Sequence, residues 1–135
     1  MVQYFQDSEK KVINPELLNE QALSDARTIK QARPTQMTSA QLRRFYGEAK
    51  NLEKKATDTK SGRVTEETFA PVLPLVKMLK SKVAYAANPS NPKVPKEFKD
   101  WMEERIDAVQ TASDFQAFLL HFEAVVGFCY GEGMK

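Results

Sequence analysis

The chain has 135 residues, 41% of them hydrophobic and 28% charged, with a mean hydropathy of −0.52. This length and balance fit one soluble domain with a core of its own, and they exclude a membrane protein and a miniature fold that depends on metal or crosslinks. The net charge of +2 conceals an asymmetry: residues 1–37 are neutral, residues 38–96 hold twelve basic against five acidic side chains, and residues 97–135 hold three against eight.

Residues 1–14 mix Tyr4 and Phe5 with polar residues and follow neither a helical nor a strand period, so they are expected to be a flexible arm that orders on a partner. Asp7 and Glu9 stand where a signal peptide would need an apolar block. Residues 15–135 are expected to form a single helical-bundle domain. Asn14-Pro15 has the form of an N-cap and first helical position, and Leu17, Leu18, Ala22, Ala26 and Ile29 predict a first helix ending near Gln31.

Thr38 and Gln41 have the spacing of a capping box, which starts a second helix at Ser39. Leu42, Phe45, Ala49, Leu52 and Ala56 form its buried stripe. A second stripe carries Arg43, Gly47, Lys50 and Lys54, flanked by Arg44 and Lys55, and Gly47 would let a polyanion approach the backbone. A third helix is expected from about Thr65 to Ala87 through Phe69, Val72, Leu73, Val76, Leu79 and Val83, delayed or kinked at Pro74. Its longest apolar run, Phe69 to Val76, contains two prolines and falls far short of the ~20 residues a membrane span needs.

A fourth helix starts near Pro95 with Phe98, Trp101, Met102, Ile106 and Val109 inward. A fifth begins behind a Ser113/Gln116 capping box and buries Phe115, Phe118, Leu119, Phe122, Val125, Val126 and Cys129. No segment alternates like a half-buried strand. The expected fold is all-α, a compact bundle of about five helices.

Catalytic chemistry finds little support. His121 and Cys129 are the only residues of their kinds, and on one helix they stand about 12 Å and roughly 80° apart, too far to work as base and nucleophile. A core cysteine and a histidine on a helix face account for them better. Glu103 and Asp107 have the one-turn spacing of two metal ligands, but Arg105 lies between them and no third ligand joins, so a solvated acidic face is the stronger reading. No phosphate-cradling glycine loop, HExxH or CxxC motif occurs, and no cofactor is implied. The lone cysteine and the lack of an apolar leader lead us to expect a cytoplasmic location.

The basic residues are the better lead. Arg43, Arg44, Lys50 and Lys54, with Lys77, Lys80 and Lys82 further on, are candidates for neutralising phosphates, although Lys80 and Lys82 project about 160° apart and cannot share one groove. Tyr85 fits a core position better than a stacking one.

Three segments, Thr38-Ser39-Ala40-Gln41-Leu42-Arg43-Arg44-Phe45-Tyr46, Val72 through Ala87, and Asp114-Phe115 through Glu123-Ala124-Val125-Val126, carry a resemblance in their order and spacing. The chain resembles the small subunit of type III-A CRISPR effector complexes, the Csm small subunit. That resemblance implies a five-helix bundle without a catalytic role, present in several copies along the complex and lining the channel where guide RNA pairs with target RNA. The expected partners are therefore guide and target RNA, other Csm subunits and further copies of the chain, with no membrane. The alternative is a protein-only helical adaptor that self-associates through its complementary charged faces.

Overall fold

The computed structural model describes residues 2–135. A 3₁₀ turn, Pro15–Leu18, leads into α1 (Glu20–Gln31), followed by α2 (Ser39–Ala56), a single turn α3 (Glu66–Phe69), α4 (Leu73–Ala86), α5 (Lys96–Asp107) and α6 (Ala112–Gly131). The fold is all-α. Among the described residues extended pairing is limited to two isolated antiparallel bridges, Phe5 with Ile13 and Thr57 with Val64.

α6 is the axis of the bundle. Phe115, Phe118, Phe122, Val125 and Cys129 on it are fully buried, and α1 packs along it more extensively than any other pair of helices packs. Ala22 and Ala26 make that close approach possible: with only methyl groups between the backbones, the Cys129 thiol reaches the Ala26 carbonyl at 3.8 Å. Burial pushes the Cys129 thiol up to about 11, so it stays protonated and inert. On the other flank an aromatic cluster ties α2, α5 and α6 together, with Phe98 5.4 Å from Phe45 and Trp101 5.1 Å edge-on to Phe122.

Proline explains why the expected third helix is two. Thr65 and Thr68 form a reciprocal capping box that starts α3, the chain turns through Ala70, Pro71 and Val72, and α4 begins at Leu73. Pro74 then sits in the first turn of α4, where its missing N–H has no helical partner to lose, and the regular helix is delayed to Leu73 as expected. The count of helices among the described residues is thus six.

Two caps also differ from expectation. Thr38 accepts from the Gln41 N–H as anticipated, but the Gln41 side chain does not reach back, and its Oε1 is buried without a hydrogen-bond partner. For α6 the capping box is Thr111/Asp114 rather than Ser113/Gln116. The Asp114 carboxylate takes the N–H groups of Gln110 and Thr111, and Glu66 from α3 takes that of Ala112, so the donors at this helix start are met from two elements.

Of residues 1–14, expected as a flexible arm, Met1 lies outside the described residues and residues 2–14 lie folded onto the bundle. Tyr4 is buried and donates its hydroxyl to the Arg105 carbonyl at 2.6 Å, while Lys10 reaches Asp114 at 2.9 Å and Thr111 at 3.3 Å. The Asp7 carboxylate receives the N–H groups of Lys11 and Val12, which closes the turn between them. An isolated Tyr in a polar stretch gives no periodic signal, and its burial is decided by a partner about a hundred residues away.

His121 is not on an open helix face but fully buried. Its Nδ1 donates to the Leu17 carbonyl, and its Nε2 lies 3.3 Å from the Arg105 guanidinium and 3.5 Å from the Asp25 carboxylate. Asp25 completes the cluster, accepting from Arg105 at 2.7 Å and from the Trp101 indole at 3.0 Å. Burial alone would raise the Asp25 carboxyl, but the neighbouring His121, the Arg105 charge and the hydrogen bonds from Gln21 and Trp101 outweigh it and hold it below the usual carboxylate range. The cluster joins the 3₁₀ turn, α1, α5 and α6, and every member is paired, as a buried polar group must be.

Candidate nucleic-acid interface

The buried stripe of α2 is as expected, with Leu42, Phe45, Ala49, Leu52 and Ala56 all inside. Because a helix repeats every 3.6 residues, that stripe turns Arg43, Gly47, Lys50 and Lys54 to the opposite, outward side, with Arg44 and Lys55 displaced toward α4. Arg43, Arg44 and Lys54 are exposed and, among the described residues, make no ion pair or side-chain hydrogen bond. Lys50 differs. Its ammonium lies 2.6 Å from Glu53, and that contact raises its pKa above the usual lysine value.

The three lysines of α4 separate. Lys82 leans toward α2 and lies 3.7 Å from Glu48. Lys77 and Lys80 turn the other way, toward the end of α5. Lys80 pairs with Asp107 at 2.6 Å. Lys77 is half-buried and donates to the carbonyls of Ile106 at 2.8 Å and Val109 at 2.7 Å, capping the chain where α5 ends. Burial lowers its pKa. The structure therefore gathers Arg43, Arg44, Lys50, Lys54 and Lys82 on one side and commits Lys77 and Lys80 to the α4–α5 seam.

Between α2 and α4 runs a groove made of two adjoining hollows, of about 520 and 370 Å³, that share Glu48 and Lys82. Lys54 and Lys55 border one end, Arg44 and Lys93 the other. Tyr85, expected inside, is 83% exposed here, and Met78 is 53% exposed. Sequence reasoning missed both because the apolar face of α4 is wider than its buried stripe: Val76, Leu79 and Val83 fill the core, which leaves Leu75, Met78 and Tyr85 on the groove side. A signal was available. Leu75, Met78, Lys82 and Tyr85 recur at three- and four-residue steps with a lysine among them, a second stripe beside the core stripe. Lys93, which follows the breaker Asn88-Pro89-Ser90-Asn91-Pro92, joins the groove because its N–H and that of Val94 bond to the Ala86 carbonyl and bring the loop back to α4.

Glu103 and Asp107 are engaged by Lys99 at 3.6 Å and Lys80 at 2.6 Å, and among the described residues no three His, Cys, Asp or Glu side chains converge on one point. Among the described residues no helix is long and apolar enough to cross a membrane.

Fold and site together define a class: a small all-α bundle with an outward row of cations beside a groove with exposed apolar side chains. The family model described as Csm2 Type III-A matches residues 13–131, and the chain belongs to that family. It is a small subunit of a type III-A CRISPR effector complex, with other Csm subunits as its partners. No curated protein and no solved structure gives a significant match.

Proposed function

We propose that the chain is a non-catalytic, cytoplasmic subunit that holds the backbone of guide and target RNA without reading sequence, and that it bridges neighbouring subunits and further copies of itself. The observation that carries this reading is the outward face of α2, where Arg43, Lys54 and the flanking Arg44 have no ion-pair partner among the described residues. A charge satisfied inside the molecule gains little from a phosphate, whereas a free guanidinium releases the phosphate's counterion at no internal cost. Arg43, Arg44 and Lys54 are exposed charges that neutralise a phosphate whatever the sequence, which supports contact with the backbone.

The experiment is a salt titration of RNA binding. Each phosphate contact contributes a slope of about 0.7 to 0.9 in log K against log salt, so three contacts weaken binding roughly 20- to 40-fold between low and physiological salt. Arg43→Ala or Lys54→Ala should remove one such contact for any RNA sequence and leave the thermal midpoint unchanged. Lys50→Ala should do less, since Glu53 already holds that ammonium. Unchanged slopes in both Arg43→Ala and Lys54→Ala would refute the reading. A protein-only adaptor, by contrast, retains no RNA even at low salt.

A further inference from the structure

The two signs of charge are spent differently in this molecule. Of the eight acidic side chains in residues 97–135, Asp100, Glu103, Glu104, Asp107, Asp114 and Glu132 are already ion-paired within the chain, and Glu123 accepts from the Tyr46 hydroxyl. Among the described residues Arg43, Lys54, Lys55, Lys60 and Arg63 are exposed and make no ion pair. An acidic surface that is neutralised internally offers the basic face of a second copy little, so the positive surplus fits an external polyanion.

We propose that the hairpin of residues 57–64 is a phosphate-binding element, which carries the cationic row of α2 past the end of the helix through Lys60 and Arg63. This rests on the RNA-binding reading above and adds two binding residues to it. The hairpin is built rather than loose. Thr57 and Val64 pair as an isolated bridge, and the Asp58 N–H donates to the Arg63 carbonyl and the Gly62 N–H to the Asp58 carbonyl, both at 2.8 Å. Gly62 closes the turn at φ +71°, a conformation that side-chain-bearing residues rarely adopt.

Two consequences follow from this construction. Asp58 is the one acid in the hairpin, and its carboxylate accepts the Lys60 N–H at 3.2 Å and the Ser61 hydroxyl at 3.1 Å, so it ties the loop and leaves the Lys60 ammonium free. The bond to the Arg63 carbonyl also sets Arg63 beside Asp58, four residues past Lys54, which gathers Lys54, Lys55, Lys60 and Arg63 at the C-terminal end of α2. A backbone tied in this way loses less freedom when its cations are engaged. Residues 59–63 are exposed and contain no apolar side chain that could enter a bilayer, whereas charges of one sign in a row match a chain of phosphates.

The test measures binding of single-stranded RNA by the full chain against salt. With two hairpin contacts beyond the three of α2, the slope of log K on log salt should be about 3.5 to 4.5, and the double variant Lys60→Gln with Arg63→Gln should bring it to about 2.1 to 2.7. The thermal midpoint should not move, because both side chains are exposed. As the RNA is lengthened, the wild-type slope should go on rising after that of the double variant has levelled off. Lys96→Gln with Lys99→Gln removes the same charge from residues already paired with Asp100 and Glu103, and should leave the slope at the wild-type value. An equal fall in that control would show an effect of net charge alone and overturn the proposal. So would a hairpin variant with the wild-type slope, including one that no longer joins the other Csm subunits, since the hairpin would then face an acidic protein surface. Loss of slope in Arg43→Ala and Lys54→Ala with none in the hairpin variant refutes this inference alone, whereas no loss in any of them refutes the RNA reading itself.

Discussion

Lys77 separates a role in the fold from a role on RNA, because its ammonium donates to two main-chain carbonyls rather than projecting into solvent. Lys77→Met keeps most of the stem that crosses from α4 to α5 and removes only the donors. Hydrogen bonds from a charged donor are worth about 1.5–3 kcal/mol each, and a cation at a helix C-terminus adds about 0.3–1 kcal/mol. Against this stands the desolvation that lowers the Lys77 pKa, and the bonds are only half-buried, so the expected loss is toward the low end, about 1–2 kcal/mol. For a chain of this size such a loss lowers the thermal midpoint by roughly 3–8 °C. Lys80→Ala breaks an exposed pair and should cost no more than about 1 kcal/mol. Denaturation followed by circular dichroism measures both, and amide exchange should quicken at the α5–α6 corner in Lys77→Met alone. A Lys77→Met chain with an unchanged midpoint and a reduced RNA salt slope would refute the capping role and return Lys77 to the binding face.

Gly47→Ala should raise stability by about 0.5–1 kcal/mol, since Gly47 is inside α2 and a methyl group there meets nothing within 4 Å. If RNA lies against the backbone at that point, the same change weakens binding, and a variant that binds better than wild type would place the RNA elsewhere. Asp25 has a folded-state pKa below its unfolded value, so its contribution is present above the usual carboxylate pKa and is lost as pH falls through the lower, folded one. Asp25→Asn should therefore destabilise the chain near neutral pH, by about 3–5 kcal/mol for a broken buried pair, and flatten the loss of stability on acidification, read from midpoints measured between neutral and acidic buffers.

The elements that were legible in the sequence are those whose stripes are strictly periodic. α2 and α5 begin where Thr38 and Pro95 indicate, and the long apolar run from Phe115 to Cys129 is the central helix. What could not be read depends on partners distant along the chain. Ser113 and Thr111 both begin a plausible capping box, and the choice falls to Thr111 because Glu66 and Lys10 arrive to complete the corner around Asp114. The basic residues were visible as a set, but Lys77 and Lys80 could be distinguished from Arg43 and Lys54 only once α5 lay beside α4 and offered them carbonyls and Asp107. Tyr85 was misjudged because composition does not say how wide a core is.

The seam between α1 and α6 has a consequence for how the molecule is made. Ala22, Ala26 and Ile29 find their main packing surface on α6, a helix synthesised about a hundred residues later. α1 has twelve residues, too few to hold a helix on its own in water. It must therefore remain unpartnered through most of synthesis while α2, α4 and α5 meet one another, and the bundle closes only when α6 arrives and the longest loop is shut. Folding on the ribosome should then be a single late event, with the Asp25, Arg105 and His121 cluster assembling at that closing step.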